Sequence, residues 1–207
     1  MNFFRSRGAR ASLTALAAAL ALFGTACTAP GHDTAKPDAE VGVASKQQDL
    51  RTQAEQALER LYRHAPAARD IVEKSVGVLV FPKVDGSFAT GAEYGRGVLF
   101  MGGATAESQM AGRYRAVAGA LGWNGGTQSR SLIYVFNHQS ALAKFSNSRG
   151  WMVGLGATAE QVMPDANGKI DASVLKHQVI VFSDTDAGLK ADVSVEGSVI
   201  SRINDVK

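Results

Sequence analysis

Two hydropathy patterns divide the chain. Between Ser45 and His64 (SKQQDLRTQAEQALERLYRH), Leu50, Ala54, Ala57, Leu58 and Leu61 recur at helical spacing, and Arg51, Glu55, Glu59 and Arg63 take the opposite side. This predicts an amphipathic helix opened by Ser45 and Gln48 in capping-box spacing. Pro66 suits the first turn of a second helix, Pro66–Lys74. From Val76 the texture turns to β. Val76–Phe81 (VGVLVF) is expected to be a strand closed by Pro82 and a turn at Asp85–Gly86. Glycine-interrupted strands are expected at Phe88–Glu93, Gly95–Gly102 and Arg113–Trp123, then at Thr127–Asn137, whose end Leu132–Phe136 is strongly β. Gln139–Ser148 reads as a helix with Leu142 and Phe145 inward. After a turn at Asp165–Gly168 come strands at His177–Phe182 and Leu189–Ile200. In the second of these, Leu189, Ala191, Val193, Val195, Gly197 and Val199 alternate with mostly polar partners.

The order of elements implies an α+β class: N-terminal helices packed on a curled, glycine-rich antiparallel sheet or partly closed barrel. Fifteen of the 22 glycines fall between Gly77 and Gly156, a density that suits bulges, bends and close backbone approach.

The N-terminal stretch changes the picture. Met1–Arg10 is basic, Leu13–Phe23 is an apolar run too short to span a bilayer, and Gly24, Thr25 and Ala26 precede Cys27. This is the layout of a secretory signal, residues 1–26. The chain's single cysteine directly follows it, which resembles a bacterial lipoprotein signal with Cys27 as the acylated (palmitate-bearing) N-terminus. The departure is Gly24, where that pattern usually has Leu. Thr28 stands after the cysteine in place of Asp, which in the lipoprotein pattern points to the outer membrane, periplasmic side. Each buried acyl methylene contributes about 0.8 kcal/mol, so two or three chains anchor stably. Residues 27–44 then form the lipidated end and a flexible tether rich in Pro, Ala, Gly and Asp, and 45–205 the folded domain.

Charge and chemistry narrow the function classes. Lys and Arg total 22 against 19 acids, and the three basic excess residues, Arg5, Arg7 and Arg10, all lie in the signal. A neutral mature chain argues against a nucleic-acid partner. The histidines His32, His64, His138 and His177 are scattered, without metal-ligand spacing. There is no G-x-S-x-G elbow, and Asp184 and Asp186 read as a strand-to-strand turn. Gly154–Ala159 matches G-x-G-x-x-A but lacks the βαβ context of a dinucleotide site, so these read as structural glycines. The inventory points to no enzyme, no cofactor and no metal. Trp123 and Trp151 have core packing as their default. Each is also a candidate headgroup contact, Trp151 having Arg149 nearby.

The stretch VGVLVFPKV-x-G-S-F-x-x-G-x-x-Y-G-R-G-V-L (Val76–Leu99), Gly122–Gln128 (GWNGGTQ) and Leu189–Ser198 (LKADVSVEGS) occur in the order seen in the SYLF lipid-binding domain family. The sequence resembles that family from about Gln47 to Arg202. It departs at Val84–Phe88, where an acid, Asp85, replaces a basic residue, with Lys83 nearby. The resemblance implies phospholipid binding, with phosphoinositides in eukaryotic members and actin in some fungal ones. It places lipid contact in the N-terminal amphipathic segment and nearby basic residues, here Arg51, Arg60, Arg63 and Lys83. The expected protein is a lipid-anchored envelope protein whose domain binds a phospholipid membrane. The alternative is an interaction module docking an envelope protein or cell-wall partner.

Overall fold

The structure, a computed structural model, describes residues 38–87, 92–105, 107–119, 129–154, 159–190, 195 and 197–204. Two helices, α1 (Asp38–His64) and α2 (Ala67–Glu73), lead into β1 (Gly77–Ser87), β2 (Ala92–Met101), β3 (Met110–Gly119) and β4 (Arg130–Phe136). Helix α3 (Gln139–Asn147) follows, then β5 (Trp151–Met152), β6 (Glu160–Gln161) and a 3-10 turn at Ala172–Lys176. The last elements are β7 (Val179–Thr185), β8 (Gly188–Leu189) and β9 (Val199–Arg202). The strands form one strongly curled sheet, a half-barrel, in the order β5-β9-β3-β2-β1-β4-β7-β6, with β8 beside β7. Pairings are antiparallel except β6 with β7. The α+β class with a curled sheet is therefore observed, although the sheet is mixed.

Side chains alternate across the sheet and build two cores. Outside the curl, Ala54, Ala57, Leu58 and Leu61 of α1 and Val72 of α2 pack on Val78, Val80, Val98, Phe100, Ile133, Val135, Ile180 and Phe182. Inside it, Leu79, Phe81, Leu99, Tyr134, Phe136 and Val181 meet Leu142 and Phe145 of α3 together with Trp151 and Ile200. Strands β4 and β7, and β1 up to Phe81, thus bury both faces, and these stretches are nearly continuous apolar runs. Strand β3 alternates instead: Tyr114 and Ala116 are buried, Arg115 and Val117 exposed. All of this lies within one compact unit, Pro37–Lys207, with both cores inside it.

Several expectations need correction. Helix α1 starts at Asp38, not at Ser45, so residues 38–44, assigned to the tether, are helical. Pro37 precedes it in the sequence, a stronger opening signal than the Ser45 and Gln48 pair. Strand β1 does not stop at Pro82 but runs to Ser87 through an irregularity between Val80 and Lys83, where proline's missing N–H is tolerated. Across it, Gly97 makes the close approach possible, because a Cβ there would sit 2.6 Å from both the Phe81 ring and the Val80 carbonyl oxygen. The two strands expected at Phe88–Glu93 and Gly95–Gly102 are, as far as the described residues go, one strand, β2. The long strand expected at Leu189–Ile200 is divided: β8 ends at Leu189, β9 begins at Val199, and Gly197 turns between them with φ +77°.

Candidate functional site

The basic residues singled out from the sequence fall into different surroundings. Arg60 reaches from α1 to the carboxylate of Asp184, Nε donating to Oδ2 at 3.2 Å, and its Nη2 donates to Ser131 Oγ. His64, one turn further along α1, places Nδ1 2.7 Å from the other oxygen of Asp184. Ser131 Oγ in turn donates to the Pro82 carbonyl at 2.8 Å. Asp184 is fully buried in β7, which corrects its assignment to a turn; Asp186 does lie in the β7–β8 turn. A carboxylate, an imidazole and a hydroxyl therefore converge. The hydroxyl, however, bonds Arg60 and Pro82 and not His64, so the contact that would activate a nucleophile is missing from the set. The cluster acts as a clamp holding α1 to β1, β4 and β7.

Lys83 stands beside this clamp. The β1 irregularity lifts it to the outer surface, 3.1 Å from the Asp85 carboxylate. The Ser129 hydroxyl, donating to Asp85 at 2.6 Å, and Lys83 together hold that carboxyl below its ordinary range. A groove of about 230 Å³ contains Arg60, Lys83, Arg130, Asp184 and Asp186. A second, of about 400 Å³, lies between α1 and the sheet and contains Asp49, Gln53, Lys83, Arg96 and Arg113. Lys83 is common to both.

Arg51 faces elsewhere. It pairs with Glu55 at 2.8 Å, donates to the Ser108 carbonyl and lies over the Phe100 ring at 5.7 Å. The groove it lines, about 550 Å³, also holds Glu55, Glu59, Tyr62, Arg69 and Glu73. Its acids outnumber its bases, which makes it a poor receptor for an anion. Burial pushes the Tyr62 hydroxyl up to about 12, opposed by Arg69, whose guanidinium stacks on the ring at 4.2 Å, and aided by Glu73 and Glu59. Arg63 is exposed on α1. The structure thus joins Arg60 with Lys83 and separates Arg51 from them.

Trp151 is 7% exposed and packs edge-on against Phe145 at 5.4 Å and Tyr134 at 5.8 Å. Its place is the inner core, which corrects its candidacy as a headgroup contact. Trp123 and Cys27, and with Cys27 the signal and lipidated end, lie outside the described residues. Sequence reasoning missed Arg96 and Arg113. A signal was available: Arg96 lies between Gly95 and Gly97, and Arg113 and Arg115 are two apart, the spacing of one strand face. Among the described residues no helix is long and apolar enough to cross a membrane, and no cluster of three or more His, Cys, Asp or Glu is placed to hold a metal.

Residues 117–207 match the family model Ysc84, described as Las17-binding protein actin regulator. The match runs from the end of β3 to the C-terminus and agrees with the resemblance to the SYLF family over that segment. No curated protein matches the chain.

Proposed function

We propose that this chain, with its SYLF-type C-terminal segment, is a lipid-anchored envelope protein whose domain binds phospholipid membranes. The match over residues 117–207 is the observation that carries the reading, since lipid binding is the property the SYLF resemblance implies. In this reading Cys27 bears the acyl anchor at the periplasmic side of the outer membrane, and the domain is a binding module without enzymatic activity. The anchor keeps the domain within reach of the bilayer, so a weak intrinsic affinity acts at a high effective concentration.

Co-sedimentation of a chain beginning at Thr28 with anionic and zwitterionic vesicles, at low and moderate salt, tests the domain. Pelleting with anionic vesicles that declines with salt is expected, and failure to pellet with either lipid sinks the reading. Acyl labelling in cells tests the anchor: label in the wild type and none in Cys27→Ser is expected. The family's description as Las17-binding favours a second reading, a protein-docking module held at the membrane by its anchor alone. That reading gains if the vesicles are not bound while Cys27 is acylated.

A further inference from the structure

We propose that the outer face of strands β2, β3, β9 and β5 is the surface that docks on an anionic phospholipid bilayer. This rests on the membrane-binding reading above and assigns the site. Register places two cross-strand rows on that face. One runs Tyr94, Val117, Val199, Met152. The next runs Lys83, Arg96, Arg115, Ser201. Strands lie about 4.8 Å apart and same-face neighbours about 7 Å apart along a strand, so each row extends on the order of 14 Å and the two lie side by side. Tyr94, Val117 and Met152 are 46%, 42% and 40% exposed, among the few large apolar side chains open to solvent among the described residues. Their chain neighbour Trp151 and the inner-face residues Tyr114, Ala116 and Ile200 are buried, so apolar character on the outer row is not demanded by the core.

The occupant follows from charge. Three cations, Lys83, Arg96 and Arg115, run parallel to the apolar row, and Asp85, paired with Lys83, is the acid at its β1 end. Arg96 Nε lies 3.3 Å from the Tyr94 hydroxyl and Arg115 Nε donates to Ser201 at 3.0 Å, so both guanidiniums are held along the surface. Behind Arg96 opens the groove of about 400 Å³ that also holds Lys83 and Arg113. An apolar row beside a cationic row and a basic groove matches the layering of a bilayer, whose acyl boundary lies under a shell of anionic phosphates. A protein partner would demand no such ordering of apolar and cationic positions.

The test uses the chain from Thr28, which keeps the compact unit whole and lacks the only cysteine. NBD is attached at Val117→Cys or, as a control, at Leu175→Cys, an exposed site on the 3-10 turn. Vesicles contain phosphatidylglycerol with phosphatidylcholine, or phosphatidylcholine alone. The expected result is a blue shift at position 117 with the anionic vesicles and none at 175. The double variant Arg96→Glu/Arg115→Glu is expected to bind at least about tenfold more weakly, since each basic side chain adds measurably to attraction at an anionic surface. Circular dichroism of each variant checks that the fold is retained, and Tyr94→Ser provides a second, uncharged lesion in the same row. Binding by the parent chain with a silent 117 probe, or undiminished binding by the double variant, overturns this surface but leaves the membrane reading standing. A shift at 117 that follows protein concentration without vesicles makes a second copy the occupant and also overturns it. No binding of the parent chain to either vesicle removes the reading and the proposal together.

Discussion

The two halves of this sheet solve the burial problem differently. In β4, β7 and the part of β1 up to Phe81 both faces are covered, by α1 and α2 outside and by α3 and the aromatic cluster inside, so nearly every position is apolar and buried. The polar side chains enclosed there, Ser131, Ser183, Asp184 and Thr185, include one charge, Asp184, which is matched by Arg60 and hydrogen-bonded to His64, whereas beyond the irregularity Lys83 and Asp85 of β1 stand on the surface. In β3, β9 and β5 only the inner face is covered, and arginines alternate with core residues. A charge in the first half must be paired to be tolerated, whereas a charge in the second can meet a partner from outside. The contrast shows which charges in this fold serve folding and which are available for recognition.

The largest effect that sharpens this contrast is a comparison of neighbours. Trp151 and Met152 are adjacent in β5 but point to opposite faces. Trp151→Ala should cost about 4 kcal/mol in urea unfolding, because it empties an aromatic site in the inner core. Met152→Ala should cost less than about 0.5 kcal/mol, as exposed substitutions do. A cost above about 1.5 kcal/mol at Met152 would mean that the outer face is covered after all.

The clamp is next. Arg60→Met removes the guanidinium that pairs with the buried Asp184 carboxylate and leaves it the hydrogen bond to His64, and the expected loss is about 3 kcal/mol. Arg115→Met on the open half should fall within about 0.5 kcal/mol of wild type. Replacing both clamp partners, as Arg60→Met/Asp184→Leu, should restore much of the loss, because the pair repays desolvation more than it adds stability. If the double variant is no better than the single, the clamp contributes net stability and the contrast between the halves is sharper still. At the seam between the halves, Gly97→Ala should cost about 2 kcal/mol, since the new methyl meets a backbone carbonyl that cannot turn aside.

Much of this division was legible in the sequence. The runs VGVLVF, LIYVF and VIVF are continuous because both faces are buried, while Arg113, Arg115 and Val117 alternate with Tyr114 and Ala116 because one is not. What was not legible depends on distant partners. Pro82 signals a strand end locally, yet the opposite strand supplies Gly97 and lets β1 continue. Asp184 beside a turn looks solvated until a helix 124 residues earlier brings Arg60 to it. Alternation in Leu189–Ile200 imitates a strand because the pattern carries no information about the positive φ of Gly197. The two surface rows exist only through cross-strand register, which no single strand encodes.

The smallest effect at neutral pH belongs to Tyr62, in the helical cover of the doubly buried half. Its hydroxyl is buried and has no hydrogen-bond partner among the described residues, so Tyr62→Phe should change stability by less than about 0.5 kcal/mol near pH 7. Above pH 10 the two proteins should diverge. Burial raises the folded-state value from 10.0 to about 12, with Arg69 opposing and Glu73 and Glu59 assisting, whereas in the unfolded chain the phenol ionises at its ordinary value. A folded value above the unfolded one gives a contribution that is complete below pH 10 and lost as pH rises towards 12. Over that window the wild type should lose at most about 2 kcal/mol more than the variant, because the Arg69 guanidinium against the ring softens the cost of the phenolate. Urea midpoints of both proteins at pH 8, 10 and about 11.5 measure the difference. Parallel curves would mean that α1 opens locally and lets Tyr62 ionise in water, and the helical cover would then be looser than the strands beneath it.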